Sequence, residues 1–214
     1  MIKLAPSLLA ADLLNLERDL DRMMRDGVEI LHFDIMDAHF VPNLSFGPAL
    51  CAAVHQRFPS CLLDVHLMMD NPLDYIDVFA DAGAYTLTLH LEALNDPAAA
   101  LNRIRDRGMR RGLSIRPHTD ASTLLPYLDA LEHILIMTVE PGFGGQKLMP
   151  DQLDKIRFLR ARGFRGDIAA DGGVNMKNAA LLAEAGANVL VMGTAYFRAE
   201  DSAQVVQMVK ELAK

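Results

Sequence analysis

Eight short apolar runs, each followed by an amphipathic stretch, constrain most strongly what this chain can fold into. The strand-like runs are IKLAP (2–6), EILHFDI (29–35), LLDVHLM (62–68), YTLTLHL (85–91), GLSIR (112–116), ILIMTV (134–139), DIAAD (167–171) and NVLVMG (188–193). Helical patterns follow at 12–26, 47–57, 72–82, 97–107, 121–130, 151–162, 176–185 and 201–213. Asp12, Asn71–Pro72, Asp96–Pro97 and Asn175 suit helix starts. Gly27, Gly83, Gly108, Gly163 and Gly186 follow helices, where a left-handed cap suits glycine. Strand–helix alternation implies parallel strands covered by helices. Eight even units in 214 residues predict a closed parallel (β/α)8 barrel of the TIM type, one α/β domain over residues 1–214. An open doubly wound sheet is the alternative.

The composition, 51% hydrophobic and 23% charged, suits one sizeable core. A net charge of −7, with scattered basic residues, argues against a nucleic-acid partner. No apolar run reaches the roughly 18 residues of a membrane span. The start, MIKLAPSLLAADLL, lacks the pattern of a secretory signal. A cytoplasmic protein is expected. Cys51 and Cys61 have no metal spacing and read as reduced packing thiols.

In such a barrel, chemistry sits where strands run into the following helices. Unusual polar residues fall there: Ser7 on strand one, His32 and Asp34 on strand two, His66 on strand three and Asp171 on strand seven. Alternate strand residues share a face, so His32, Asp34 and Met36 point together, as do Asp64, His66 and Met68. His32 alone reads equally well as a hydrogen-bonded core histidine. Two imidazoles with carboxylates, converging on one barrel end, suit zinc, iron, manganese or cobalt better than magnesium or calcium. Asp37 reads as a loop organiser. Asp64 reads as a partner that orients an imidazole. His90, ending strand four, is expected to line the pocket, whereas His55, His118 and His133 read as surface or loop residues. Glycine-rich turns follow strands six (PGFGGQ, 141–146), seven (DGGVN, 171–175) and eight (GTA, 193–195). Loops after the last strands of these barrels often hold phosphate through backbone N–H groups, without requiring a basic side chain.

The segments HFDIMDAHFVPNLSFGP, DVHLMM, MTVEPGFGGQK and DGGVN, with PSLLAADLLNL near the start, resemble the hallmarks of the ribulose-phosphate 3-epimerase family. The resemblance runs in the family's order from about Ala5 to Phe197. It implies that His32, Asp34, His66 and Asp171 bind one divalent metal ion per chain. It further implies that Asp34 and Asp171 transfer protons and that Ser7 and His66 contact substrate. By the same resemblance, Gly142, Phe143, Gly144, Gly145, Gly172, Gly173, Gly193 and Thr194 hold the phosphate end. Met36, Met68 and Met137 match methionines around the reacting carbons, with core filling as the plainer alternative.

The implied reaction interconverts D-ribulose 5-phosphate and D-xylulose 5-phosphate, within the pentose phosphate pathway, through a metal-stabilised enediolate. A coupled carboxylate pair, with one member protonated at rest, is expected. A homo-oligomer, dimer or hexamer, is also implied. Three residues depart from the family pattern: Ala38 for a glycine, Arg116 for an asparagine or lysine, and Ala169 where a carboxylate or larger residue is frequent. Epimerisation of D-allulose 6-phosphate would use the same acids and ligands, and a non-catalytic sugar-phosphate sensor would need no opposed carboxylates. A decarboxylase of related architecture needs Asp-x-Lys-x-x-Asp, and Asp34-Ile35-Met36-Asp37 has no lysine. A triose-type isomerase would leave the His/Asp set unexplained.

Overall fold

The computed structural model describes residues 2–212. Its strands are β1 (Lys3–Pro6), β2 (Ile30–Met36), β3 (Leu62–Met68), β4 (Ala84–His90), β5 (Arg110–Ile115), β6 (His133–Met137), β7 (Asp167–Asp171) and β8 (Val189–Met192). Neighbours pair in parallel in the order β1-β8-β7-β6-β5-β4-β3-β2. A parallel bridge between Ser7 and His32 joins β1 to β2 and closes the ring. The expected barrel is therefore found, and its closure point lies beside the candidate site.

The covering helices are α1 (Leu16–Arg25), α2 (Pro48–Arg57), α3 (Ile76–Asp81), α4 (Pro97–Asp106), α5 (Leu153–Ala161), α6 (Ala179–Ala185), α7 (Thr194–Phe197) and α8 (Ser202–Glu211). The expected helix over 121–130 is a 3-10 run, Ala121–Ala130, with Pro126 inside it. Proline removes a backbone donor and disfavours a continuous α-helix. Short 3-10 turns, rather than α-helix, open the stretches at 13–15, 72–75 and 150–152. The Asp12 and Asp96 carboxylates accept from the N–H groups of Leu14 and Ala99. Asn71 caps nothing, and Asn178 rather than Asn175 precedes α6. The sequence pattern does not predict the very short α7, and residue 213 of the expected last helix lies outside the described residues. Gly27, Gly83, Gly108, Gly163 and Gly186 all have positive φ, as helix ends require.

Outward strand residues such as Leu31, Phe33, Val65, Leu87 and Ile134 form the main core with the helices. The barrel interior divides in two. One side is small and apolar: Ala5, Leu135, Ala169, Val189 and Val191. The other is polar, with buried His32, Asp34, Asp64, His66, Thr86, Thr88, His90, Ser114 and His133. His133 is therefore a buried barrel residue, not a surface one; its place at the start of HILIM, directly after Glu132, concealed its inward face. Ala169 is fully buried in the apolar half. At the floor, Asp167 accepts hydrogen bonds from Lys3 (3.0 Å), Arg110 (2.8 Å) and Asn188 (2.7 Å). Cys51 and Cys61 are free and buried, and burial pushes both thiols up to about 12.

The loop after β2 crosses the barrel mouth. Asp37 organises it, accepting at Oδ1 from His39 N (2.8 Å) and Phe40 N (2.8 Å) and at Oδ2 from Asp70 N (2.9 Å). Asn43 Nδ2 donates to Gly142 O at 2.7 Å and ties this loop to the one after β6. Ala38 lies between these anchors at φ 61, the sole positive-φ non-glycine among the described residues. Cβ sterics disfavour this conformation by roughly 1–2 kcal/mol, whereas glycine adopts it freely at some cost in unfolded-state entropy. Ala38→Gly is expected to stabilise the protein by up to about 1 kcal/mol, raising Tm by roughly 2–4 °C. Calorimetry checks this, and a lower Tm would show that the loop tolerates the methyl without strain.

Candidate active site

The site is assembled at the C-terminal ends of β2, β3 and β7. In the β2–β3 register Asp34 stands opposite His66, and His32 opposite Asp64. Asp171 is the last residue of β7. One donor atom each from His32, Asp34, His66 and Asp171 lie within 4.8 Å of one another. Around a first-row cation with bonds of about 2.1 Å, ligand atoms stand on the order of 3–4 Å apart. The set of two imidazoles and two carboxylates therefore matches such an ion in chemistry, and its donor atoms stand near the spacing that an ion would draw together.

Three of the four, Asp34, His32 and His66, are held from outside the cluster. Ser7 Oγ donates to Asp34 Oδ2 at 2.6 Å. His32 Nδ1 lies 2.8 Å from Asp64 Oδ2, which leaves Nε2 facing Asp34 Oδ1 at 3.2 Å. Asp64 thus orients the imidazole, as its depth in the strand suggested. His66 Nδ1 lies 3.3 Å from Asp34 Oδ1 and 3.8 Å from Asp171 Oδ2. Ser45 Oγ donates to the Asp34 carbonyl at 2.5 Å and accepts from Met36 N at 3.0 Å, pinning the end of β2.

These surroundings drive the two carboxyls apart. Burial works against ionising Asp34, but the His32 charge and hydrogen bonds from His32 and His66 hold it far below the usual carboxylate range. Burial pushes Asp171 up to about 7, and the charge of Asp34 adds to the rise. Burial also opposes charge on His32, yet Asp34 and Asp64 lift it well above the ordinary imidazole value. For His66 burial prevails and lowers the value to about 4.

A cavity of about 880 Å³ opens above the cluster. Asp34 and Asp171 border it, with Ser7, Met36, Met68 and Met137. Gly142, Phe143, Gly144, Gly145, Gly172, Gly173, Gly193 and Thr194 line its outer part. Two expectations differ from the structure. His66 is fully buried beneath the carboxylates and forms no part of the cavity wall. His90 is also fully buried, packed against His66 rather than lining the pocket. Arg198, which the sequence pattern did not single out, is the cationic side chain on the wall. Its position one turn after Gly193 was the available signal. Gly172 (φ 122) and Gly173 (φ 65) are steric requirements: a Cβ would come within 2.4 Å of Val139 Cγ2 and 2.4 Å of Leu148 N respectively.

Fold and site together define a (β/α)8 barrel with a buried His/Asp cluster and an open cavity at its mouth, the layout of a barrel enzyme. The family model for the ribulose-phosphate 3 epimerase family matches residues 3–197. The chain is 42% identical to ribulose-phosphate 3-epimerase of Schizosaccharomyces pombe, covering 95% of this chain and 90% of the relative. It is 41% identical to that of Escherichia coli K12, covering 99% and 96%. The cytoplasmic isoform of Oryza sativa is 42% identical, covering 98% and 93%. The chain belongs to the ribulose-phosphate 3-epimerase family, and its reaction is the epimerisation of a phosphorylated sugar. Solved structures share its fold at low identity. The 3-hexulose-6-phosphate synthase of Salmonella typhimurium has TM-score 0.72 and 18% identity, covering 99% of this chain and 98% of that one. The KGPDC of Streptococcus mutans has TM-score 0.73 and 16% identity, covering 99% and 97%. No described helix is long and apolar enough to cross a membrane.

Metal binding requires deprotonated ligands. In the metal-free protein Asp171 keeps its proton below pH about 7, and His32 holds its proton above the ordinary imidazole range. Protons therefore compete with the ion, so affinity should rise with pH. The expected slope is at least about tenfold per pH unit below neutrality, with the Asp171 contribution ending above pH about 7. Competition titrations with Zn(II) or Mn(II) check this; an affinity unchanged from about pH 5.5 to 7 would contradict the assigned protonation states.

Proposed function

We propose that the chain interconverts D-ribulose 5-phosphate and D-xylulose 5-phosphate by two-base proton transfer at C3. It does so with one divalent ion, zinc, iron, manganese or cobalt, held by His32, Asp34, His66 and Asp171. The observation that carries this reading is the buried carboxylate pair. Asp34 is held ionised, Asp171 is pushed up to about 7, and both border one cavity.

Inversion at C3 removes the proton beside the C2 carbonyl and returns one from the opposite face. With an ion bound, either carboxylate would take or return the C3 proton on the oxygen that it does not give to the ion; Asp171, the carboxyl that holds a proton more readily, is suited to the donor role in one direction and Asp34 in the other. Ser7, donating to Asp34, fixes the carboxylate oxygen that its bond leaves free. A bound divalent ion supplies Lewis-acid stabilisation of the enediolate, a contribution of several kcal/mol. Met36, Met68 and Met137 give an apolar, polarisable wall that excludes water and accepts the reacting carbon from either side.

The phosphate end is assigned to the glycine turns. The N–H groups of Gly173, Thr194 and Ala195 are not spent on turn hydrogen bonds. Arg198 adds a cation at the same rim. The rice relative's name supports a cytoplasmic location. Exposed Leu13, Leu14 and Leu44, on the neighbouring loops after β1 and β2, support a homo-oligomer, dimer or hexamer.

The reaction is tested by incubating metal-loaded protein with ribulose 5-phosphate in deuterated water and following C3 by NMR. Deuterium should enter C3 as xylulose 5-phosphate forms, stop on chelation and resume on adding the metal back. Its absence from C3 would sink the reading, and D-allulose 6-phosphate run in parallel ranks the two chain lengths. Asp171→Asn should lower kcat by at least about 100-fold; near-native turnover would refute the two-base scheme. Arg198→Met should raise KM about tenfold with kcat retained. An unchanged KM would leave the phosphate to the backbone alone.

A further inference from the structure

The two candidate histidine ligands are backed differently. His32 meets a carboxylate directly, Nδ1 to Asp64 Oδ2 at 2.8 Å. Behind His66 stands a second histidine: His66 Nε2 lies 2.9 Å from His90 Nε2. His90 Nδ1 then lies 3.2 Å from Glu92 Oε2. The other oxygen of Glu92 accepts from Arg116 N at 2.7 Å and from the Thr119 hydroxyl. Both imidazoles are fully buried. The Phe40 ring packs on His90 with centroids 4.7 Å apart, and the Arg116 guanidinium lies 3.9 Å over Phe40.

With an ion bound in place of the His66–Asp34 hydrogen bond, this chain of bonds has one direction. Two ring nitrogens at hydrogen-bond distance must be one donor and one acceptor. An ion among the carboxylates needs the lone pair of His66 Nδ1, so the proton must sit on His66 Nε2 and be donated to His90 Nε2. His90 must then carry its own proton on Nδ1, and a carboxylate accepts it. Glu92 is that carboxylate. Reversing any one bond puts a proton on His66 Nδ1, pointing at the ion. We infer that Glu92, acting through His90, selects the tautomer of His66 that ligates metal, which makes His90 and Glu92 positioning residues of the site.

The inference deepens the proposed metal site and rests on it. The alternative makes His90 a packing residue and Glu92 a clamp for the strand-five loop. Glu92→Gln separates the two. The glutamine carbonyl can keep the bonds from Arg116 N and Thr119, but its NH2 then faces His90 Nδ1. His90 must accept there, donate from Nε2 and force His66 into the wrong tautomer.

Zn(II) and Co(II) affinities of wild type and Glu92→Gln should differ by roughly 10–100-fold, with Tm unchanged within a few degrees. Nitrogen-15 NMR of the zinc-loaded wild type should show His66 protonated at Nε2 and His90 at Nδ1. That measurement needs no variant. Affinities equal within twofold, or His90 protonated at Nε2 in the zinc form, would overturn the inference while leaving the metal site standing. A wild type that binds neither ion would remove the metal reading itself, and the inference with it.

Discussion

Four ionisable side chains share one buried corner, and the rest of the structure is arranged around tolerating them. Removing a charge from water costs several kcal/mol unless it is paired and hydrogen-bonded. His32, Asp34, His66 and Asp171 meet that requirement partly among themselves and partly outward. Asp64 takes the far nitrogen of His32, Ser7 donates to Asp34, and His90 stands behind His66. Among the described residues Asp171 has no such outside partner, and its carboxyl is the one driven up to about 7. Electrostatics therefore set two like residues apart, one held ionised and one holding its proton toward neutral pH.

Barrel closure makes this possible. The Ser7–His32 bridge joins the first strand to the second, which places the hydroxyl of Ser7 on Asp34. Polar side chains occupy one half of the interior, while Ala5, Leu135, Ala169, Val189 and Val191 fill the other. The lower end is bridged by the Asp167 cluster, and the large cavity opens at the mouth. There the loop after β2 is tied to β6 by Asn43 and to β5 by Arg116, whose guanidinium donates to Phe40 O at 2.7 Å. Arg116, a departure from the family pattern, thus acts on a loop rather than on the cavity wall. Ala38 belongs to the same loop, where a glycine would hold the turn more easily.

The strands and the core of the site were legible in the sequence, because both follow from periodicity. The two-residue offset of His32 from Asp34 places them on one face, and DIAAD spans β7 as read. What escaped depended on three-dimensional neighbours. His133 sits in an apolar run whose inward residue cannot be told from its outward ones without the barrel. The φ of Ala38 is imposed by Asp37 and Asn43 bonds on either side. His90 looked like a pocket residue because it ends a strand, but Phe40 covers it. Glu92 gave no signal at all: its role depends on β4 lying between β3 and β5. Helix starts were read a few residues early, since 3-10 turns share the helical pattern of their first residues.

The proposed site takes a single cation, with both carboxylates attached, between staves from opposite parts of the ring. Diffraction from manganese-loaded crystals, measured on both sides of the metal absorption edge, tests it most directly. The expected result is one anomalous peak per chain, bonded to His32 Nε2, His66 Nδ1 and one oxygen each of Asp34 and Asp171. A peak elsewhere, or one bonded to only one of the two aspartates, would contradict it.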